Sequence, residues 1–180
     1  DVDGSPLLGE QVRAPGHYGQ FSIAPGGAWR YEVDEAALQV LGKDVIATDR
    51  FTVFTSDSTS HDIVLTLIGT NDSPLFDAGV SDAAVVEDAQ THTGGTLTFT
   101  DVDVNDIHAV KVSARPEGFG TFSAHLDREA GEARVGTVSW HYELDANRAD
   151  ALAQGEAVTE LYTVVLDDGH GGFVQSNVAV

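Results

Sequence analysis

The chain has 180 residues, with 29 Asp and Glu against 9 Lys and Arg, and its formal net charge at pH 7 is −20. This charge argues against nucleic acid and anionic membrane surfaces as partners, because both would repel it, and it favours cations. Hydrophobic residues make up 42% of the chain, which is too many for a disordered acidic tail, and cysteine is absent, so we expect folded domains without disulfides.

Read in chain order, segments of the first part of the sequence return in the second part. The matching pairs are 1–3 with 101–103, 18–22 with 119–123, 29–34 with 140–145 and 51–53 with 162–164. The shift is 101 residues for the second pair and 111 for the third, which places a ten-residue insertion at 125–134. We therefore predict two tandem repeats, residues 1–72 and 73–180, the first lacking its N-terminal strands.

Alternating apolar and polar residues predict short strands in the second repeat. In chain order these are 83–86, 96–100, 109–114, 121–126, 137–144, 161–166 and 173–180. Seven strands in about 100 residues are typical of an all-β sandwich of the immunoglobulin or cadherin type. Asp34 and Asp145 each precede an alanine-rich stretch, which predicts a short N-capped helical crossover in both repeats.

Three oxygen-rich segments are expected at one end of the second sandwich. The chain alternates between the two ends of a sandwich, so the second-to-third and sixth-to-seventh connections lie where the chain enters. These connections are 101–106 (DVDVND) and 167–172 (DDGHGG), and the chain enters through 69–74 (GTNDSP).

The sequence resembles the VCBS, or bacterial cadherin-like, repeats of large RTX-type adhesins. The blocks that carry the resemblance are 95–103 (GTLTFTDVD), 140–145 (WHYELD), 166–172 (LDDGHGG) and 69–74. The resemblance implies extender domains of a secreted bacterial surface protein that serves cell adhesion or biofilm formation. It also implies calcium shared between the Asn71-Asp72 linker and the Asp101-x-Asp103 loop, as in cadherin linkers.

Calcium takes six to eight hard oxygen ligands in flexible geometry, which suits carboxylates gathered from several loops. We predict a calcium site with ligands at Asn71, Asp72, Asp101, Asp103, Asp106, Asp167 and Asp168. Weaker candidates are Asp1, Asp3, Asp57, Glu87 and Asp88. The first repeat replaces the Asp-Asp-Gly loop with 56–61 (SDSTSH), which predicts a weaker or lost site there. The alternative for all these residues is turn geometry and solubility alone.

A spacer is expected, not an enzyme, because the chain offers no Cys, no Gly-x-Ser-x-Gly and no His-Glu-x-x-His. Its partners would be neighbouring repeats of the same chain. The sequence contains no run of 18 apolar residues, so membrane insertion is not expected. Surface glycan or protein would be bound through other domains. The alternative is a module that itself binds glycan or another ligand through Trp29, Trp140 or the insertion. The seven histidines lack metal-ligand spacing and are expected at the surface, and the 126–129 segment (LDRE), a cadherin calcium motif by spelling, is expected to have no role.

Overall fold

The computed structural model describes residues 7–79, 81–113 and 115–180. The chain divides into two compact units, Asp1–Thr70 and Asn71–Val180. Both are all-β except for short helical turns. No helix among the described residues is both long and apolar enough to cross a bilayer.

The described part of the first unit has five strands in two antiparallel groups. The strands are β1 (Gln11–Pro15), β2 (Gly19–Ile23), β3 (Trp29–Val33), β4 (Ile46–Phe54) and β5 (Ser60–Ile68). β1, β2 and β3 form one sheet in that order, and β4 pairs with β5. The core contains Phe21 and Phe51, whose rings stack at 4.7 Å. Between β3 and β4 lies the predicted helical turn α1 (Glu35–Leu38), N-capped by the Asp34 carboxylate.

The second unit is a sandwich of a four-stranded and a three-stranded antiparallel sheet. Its strands are β6 (Leu75–Gly79), β7 (His92–Thr100), β8 (Ala109–Val112), β9 (Gly120–Arg128), β10 (Val135–Leu144), β11 (Leu161–Asp167) and β12 (Phe173–Ala179). The sheet orders are β6-β7-β10-β9 and β12-β11-β8. Alternation decides the faces: Leu97 and Phe99 of β7 are buried against Val164 and Leu166 of β11 in one core cluster. Asp145 caps α2 (Ala146–Ala149).

The position of the first strand of this unit differs from the prediction. β6 lies at Leu75–Gly79 and pairs with β7, whereas 83–86 form no ladder: Ala83 donates its N–H to the Ala179 carbonyl, and Val86 pairs only with Gln90 across a turn. The predicted insertion extends the β9–β10 hairpin and ends in a 3-10 turn (Gly131–Ala133). The insertion also contributes to the core, because Ala130 is buried there.

Both units contain a buried carboxylate that accepts hydrogen bonds from a tyrosine and from backbone N–H groups. In the second unit Glu160 accepts from the Tyr142 and Tyr162 hydroxyls at 2.8 and 2.9 Å and from the Phe119 N–H at 2.9 Å. Burial, followed by the hydrogen bond to Glu160, raises the pKa of Tyr162 to about 12 and that of Tyr142 higher still. The tyrosines therefore remain protonated donors over the whole neutral range.

In the first unit Asp49 occupies the corresponding position, 111 residues before Glu160. It accepts from the Tyr31 hydroxyl at 2.6 Å and from the N–H groups of His17 and Tyr18 at 2.8 and 3.0 Å. Burial alone would raise the pKa of Asp49, but these hydrogen bonds outweigh it and lower the pKa. The same device thus anchors the strand that follows the helical turn in each unit.

Candidate metal centre

Strand register brings three segments of the second unit together. Leu75 pairs with Thr100, so the entry segment 71–74 lies beside the loop that follows β7. Ala109 pairs with Asp167, so the end of the same loop lies beside the turn that follows β11. The loop (101–108), the turn (168–172) and the entry segment therefore surround one region, which we call the acidic cluster.

Four carboxylates of the acidic cluster are buried. Asp101, Asp103, Asp106 and Asp168 are 2%, 1%, 7% and 0% exposed. Oxygens of Asp101, Asp103 and Asp106 lie within 4.8 Å of one another, and so do ligand atoms of Asp106, Asp168 and His170. Burying carboxylates this close together is unfavourable unless positive charge compensates them.

Hydrogen bonds from backbone N–H groups and from the Asn71 side chain hold the Asp168 and Asp103 carboxylates in place. Asp168 Oδ1 accepts from the N–H groups of His170 and Gly172 at 2.7 and 3.0 Å, which closes the turn. Asp103 Oδ2 accepts from the Asp72 N–H at 2.8 Å, and Asn71 Nδ2 donates to Asp168 Oδ2 at 2.9 Å. The entry segment is therefore fixed to both acidic segments.

A glycine is required where the turn meets the entry segment. A Cβ on Gly172 would lie 2.6 Å from Ser73 Oγ and 2.9 Å from Asn71 Nδ2, and would also meet Asp168 Oδ2. Gly172 therefore permits this close approach, and Gly171 beside it has a φ of +107°, which other residues rarely adopt.

Three buried oxygens of the acidic cluster have no hydrogen-bond partner. They are Asn71 Oδ1, Asp103 Oδ1 and Asp106 Oδ2, one from each of three positions along the chain. An unsatisfied buried acceptor costs about 1–3 kcal/mol, and more when it is charged. Burial, together with the charges of Asp106, Asp101 and Asp72, raises the pKa of Asp103 above its usual value. A metal ion ligated by these oxygens would remove this penalty.

His108 is buried next to the acidic cluster, contrary to the expectation that the histidines lie at the surface. Its Nε2 is 3.0 Å from Asp101 Oδ2 and its Nδ1 is 2.8 Å from Glu129 Oε2. Burial alone would lower the pKa of His108, but the hydrogen bonds to Asp101 and Glu129 outweigh it and raise the pKa. The imidazolium form thus neutralises part of the charge on Asp101, whereas Asp103 lacks such a counter-ion among the described residues.

Glu129 belongs to the LDRE segment, for which no role was expected. Its Oε1 also accepts the His108 N–H at 3.1 Å, so the lengthened hairpin supports the loop that carries the acidic cluster. Asp127 of the same segment lies 2.9 Å from His125 and hydrogen-bonds to Ser139, on the exposed side of the hairpin. No sequence signal connected Glu129 with His108, because their proximity depends on the length of the hairpin.

The other predicted ligands are placed differently. The side chain of Asp72 is exposed, and Asp72 contributes its N–H instead. Asp167 points to Lys111, with Oδ2 2.8 Å from Nζ, and this pair lowers the pKa of Asp167. His170, which was not a predicted ligand, has its Nδ1 3.1 Å from Asp106 Oδ1.

None of the weaker candidates joins the acidic cluster within the described part of the chain. Asp57 accepts from Thr55 Oγ1 and the Thr59 N–H, which are ordinary turn hydrogen bonds. Glu87 and Asp88 belong to the Val86–Gln90 turn, and Asp88 has φ of +59°. Asp1 and Asp3 lie outside the described residues.

No family model matches the chain, and no curated protein sequence matches it. Among solved structures the chain is similar to the human Desmocollin-1 ectodomain, with a TM-score of 0.30 and 14% sequence identity over 97% of this chain and 29% of that one. A TM-score this low does not establish a common fold. The sequence blocks alone therefore carry the resemblance to VCBS repeats. The chemistry of the acidic cluster carries the function proposed below.

Proposed function

We propose that the second unit binds calcium through the acidic cluster and that the chain serves as a calcium-stiffened spacer. The observation that carries the proposal is the set of three buried oxygens without a hydrogen-bond partner, on Asn71, Asp103 and Asp106. These oxygens come from two separate segments, so one cation would tie the entry segment to the loop after β7. Asp168 and Asp101 add carboxylates at the edge of the same group.

The ligand chemistry favours calcium over other divalent ions. The unsatisfied atoms are carboxylate and amide oxygens, which are hard ligands, and they belong to loops that can adjust to six or more ligands. Magnesium demands a small, nearly ideal octahedron and retains several waters, which does not match buried oxygens drawn from two separate segments. His170 lies at the margin, so zinc is the appropriate competing ion to compare.

The proposed spacer function follows from the position of the entry segment in the chain. Asn71 and Asp72 come directly after Thr70, the last residue of the first unit. Fixing Asn71 by a cation would restrict the backbone where one unit follows the other. Tandem units with restricted joints suit an extender of a secreted bacterial adhesin, which is also the role that the sequence resemblance implies. We assign no catalytic activity to the chain.

Small-angle X-ray scattering of the full chain tests the stiffening. In calcium we expect a single, narrow distribution of interatomic distances, and in chelator a broader one, because the joint gains freedom when Asn71 is released. Glu143→Gln, which removes an exposed charge from β10, should behave like the parent chain. Identical distributions in calcium and chelator would contradict the spacer proposal while leaving calcium binding itself intact.

Glycan binding is the second candidate, and one observation favours it. Trp29 is 56% exposed, as a sugar-stacking tryptophan would be, whereas Trp140 is 2% exposed and unsuited to that role. Glycan-array binding that disappears with Trp29→Ala would support this candidate.

A further inference from the structure

The two tryptophans that occupy equivalent positions differ sharply in their surroundings. Trp140 of β10 has β9 on one side and β7 on the other, with Gly95 as its cross-strand partner in β7. Trp29 of β3 has Ile23 of β2 as its partner, and β3 is at the edge of its sheet among the described residues. The exposed fraction of the side chain is accordingly 56% for Trp29 and 2% for Trp140.

The strands around these tryptophans correspond closely. Gly19 lies opposite Val33 in the first unit, and Gly120 lies opposite Leu144 in the second. A Cβ at Gly19 or Gly120 would meet the ring of the tyrosine two residues after the tryptophan, Tyr31 or Tyr142. That tyrosine donates to the buried carboxylate in each unit. Within the described part of the chain, β3 thus has the surroundings of β10 without a strand that corresponds to β7.

We propose that the free edge of β3 accepts an extended segment of the β7 type, adding one antiparallel strand to the first unit. In the second unit Thr93, Gly94 and Gly95 of β7 lie opposite Tyr142, His141 and Trp140 of β10. The partner would therefore place threonine, glycine and glycine opposite Tyr31, Arg30 and Trp29. The first glycine is essential. The corresponding residue of β7 is Gly94, where a Cβ would lie 2.7 Å from the Trp140 carbonyl oxygen. Backbone hydrogen bonds to an open sheet edge supply the affinity.

The partner is a free extended segment, not a second folded copy of the chain. In a folded copy β7 is already paired on both edges, with β6 and with β10. Releasing it would expose Leu97 and Phe99, both fully buried, at a cost of several kcal/mol. An unpaired segment of the same sequence pattern has no such cost.

A peptide of residues 91–100 (THTGGTLTFT), added to the full chain, tests the proposal. We expect the tryptophan emission to move to shorter wavelength as Trp29 is covered, and residues 28–33 to gain protection from hydrogen exchange. In Trp29→Phe the emission shift should disappear, because Trp140 is already buried, while the exchange protection remains. A Gly94→Val peptide should bind about tenfold more weakly or worse.

Absence of protection at 28–33 with about 1 mM peptide would overturn the proposal, since such affinity is below any useful β-addition. Protection in 135–144 instead would also overturn it, because the peptide would then be replacing β7. A chain that sediments as a dimer with 28–33 already protected would show that a second copy covers the edge, and would contradict the proposed partner.

Discussion

Replacing Asp103 with asparagine is expected to stabilise the second unit in chelator and to abolish most of the stability that calcium adds. Without a cation, Asp103 is a buried carboxylate whose Oδ1 has no hydrogen-bond partner. Burial and three neighbouring aspartates raise its pKa, so its charged form is unfavourable at neutral pH. A neutral amide removes that cost and can still accept the Asp72 N–H, so the free energy of unfolding should rise.

In calcium the effect of Asp103→Asn should have the opposite sign. A ligand at 100 times its dissociation constant stabilises the folded state by about 2.7 kcal/mol, and loss of a charged ligand removes most of this increment. Urea unfolding of both proteins, in chelator and in calcium, measures the four free energies. Glu143→Gln, with the same change of charge at an exposed position of β10, is the matched control and should leave the calcium increment unchanged. An Asp103→Asn chain that is destabilised equally in both buffers would show that Asp103 serves turn geometry only.

Removing the buried carboxylate of the first unit should have the second large effect. Asp49→Ala leaves the Tyr31 hydroxyl and the N–H groups of His17 and Tyr18 without their acceptor. These donors are partly buried, and an unsatisfied buried donor costs about 1–3 kcal/mol, so a combined loss of about 2 kcal/mol or more is expected. The small core around Phe21 and Phe51 leaves little reserve of stability. The first unit of the variant should therefore unfold well below its melting temperature in the parent chain.

Asp62→Ala is the control for Asp49→Ala. Asp62 also accepts hydrogen bonds, from Arg50 and Thr52, but its side chain is 43% exposed, so its removal should cost much less stability than the removal of Asp49. Hydrogen exchange read separately for residues 7–70 and 71–180 assigns the loss to the first unit. Equal costs for the two substitutions would contradict the anchoring role of Asp49.

The positions of most strands along the chain could be predicted because they depend on local alternation. The end of the sandwich at which the loops meet could be predicted because it depends on the path of the chain between the two ends. The segments that carry Asn71, Asp103 and Asp168 were expected to meet, and the register of β6 with β7 and of β8 with β11 brings them together. β6 was missed because its sequence, LFDAG, has low strand propensity and pairs by virtue of its position beside β7.

Other features depend on contacts that no local pattern encodes. His108 follows an acidic loop and has the sequence context of a surface residue. It is nevertheless buried between Asp101 and Glu129, and its ring centroid lies 4.8 Å from that of Phe99. The two tryptophans share one sequence motif and differ in exposure because, of β3 and β10, the described residues give a strand on each side to β10 alone.

Calorimetric titration of the chelator-treated chain with calcium tests the central claim most directly. We predict saturable binding that persists in excess magnesium and is lost when Asp103 and Asp106 are both replaced by alanine, because these residues hold two of the three buried oxygens without a hydrogen-bond partner. Glu143→Gln should bind as the parent chain does. Heats no larger than those of dilution, with an unchanged melting temperature in calcium, would contradict a calcium centre in the acidic cluster.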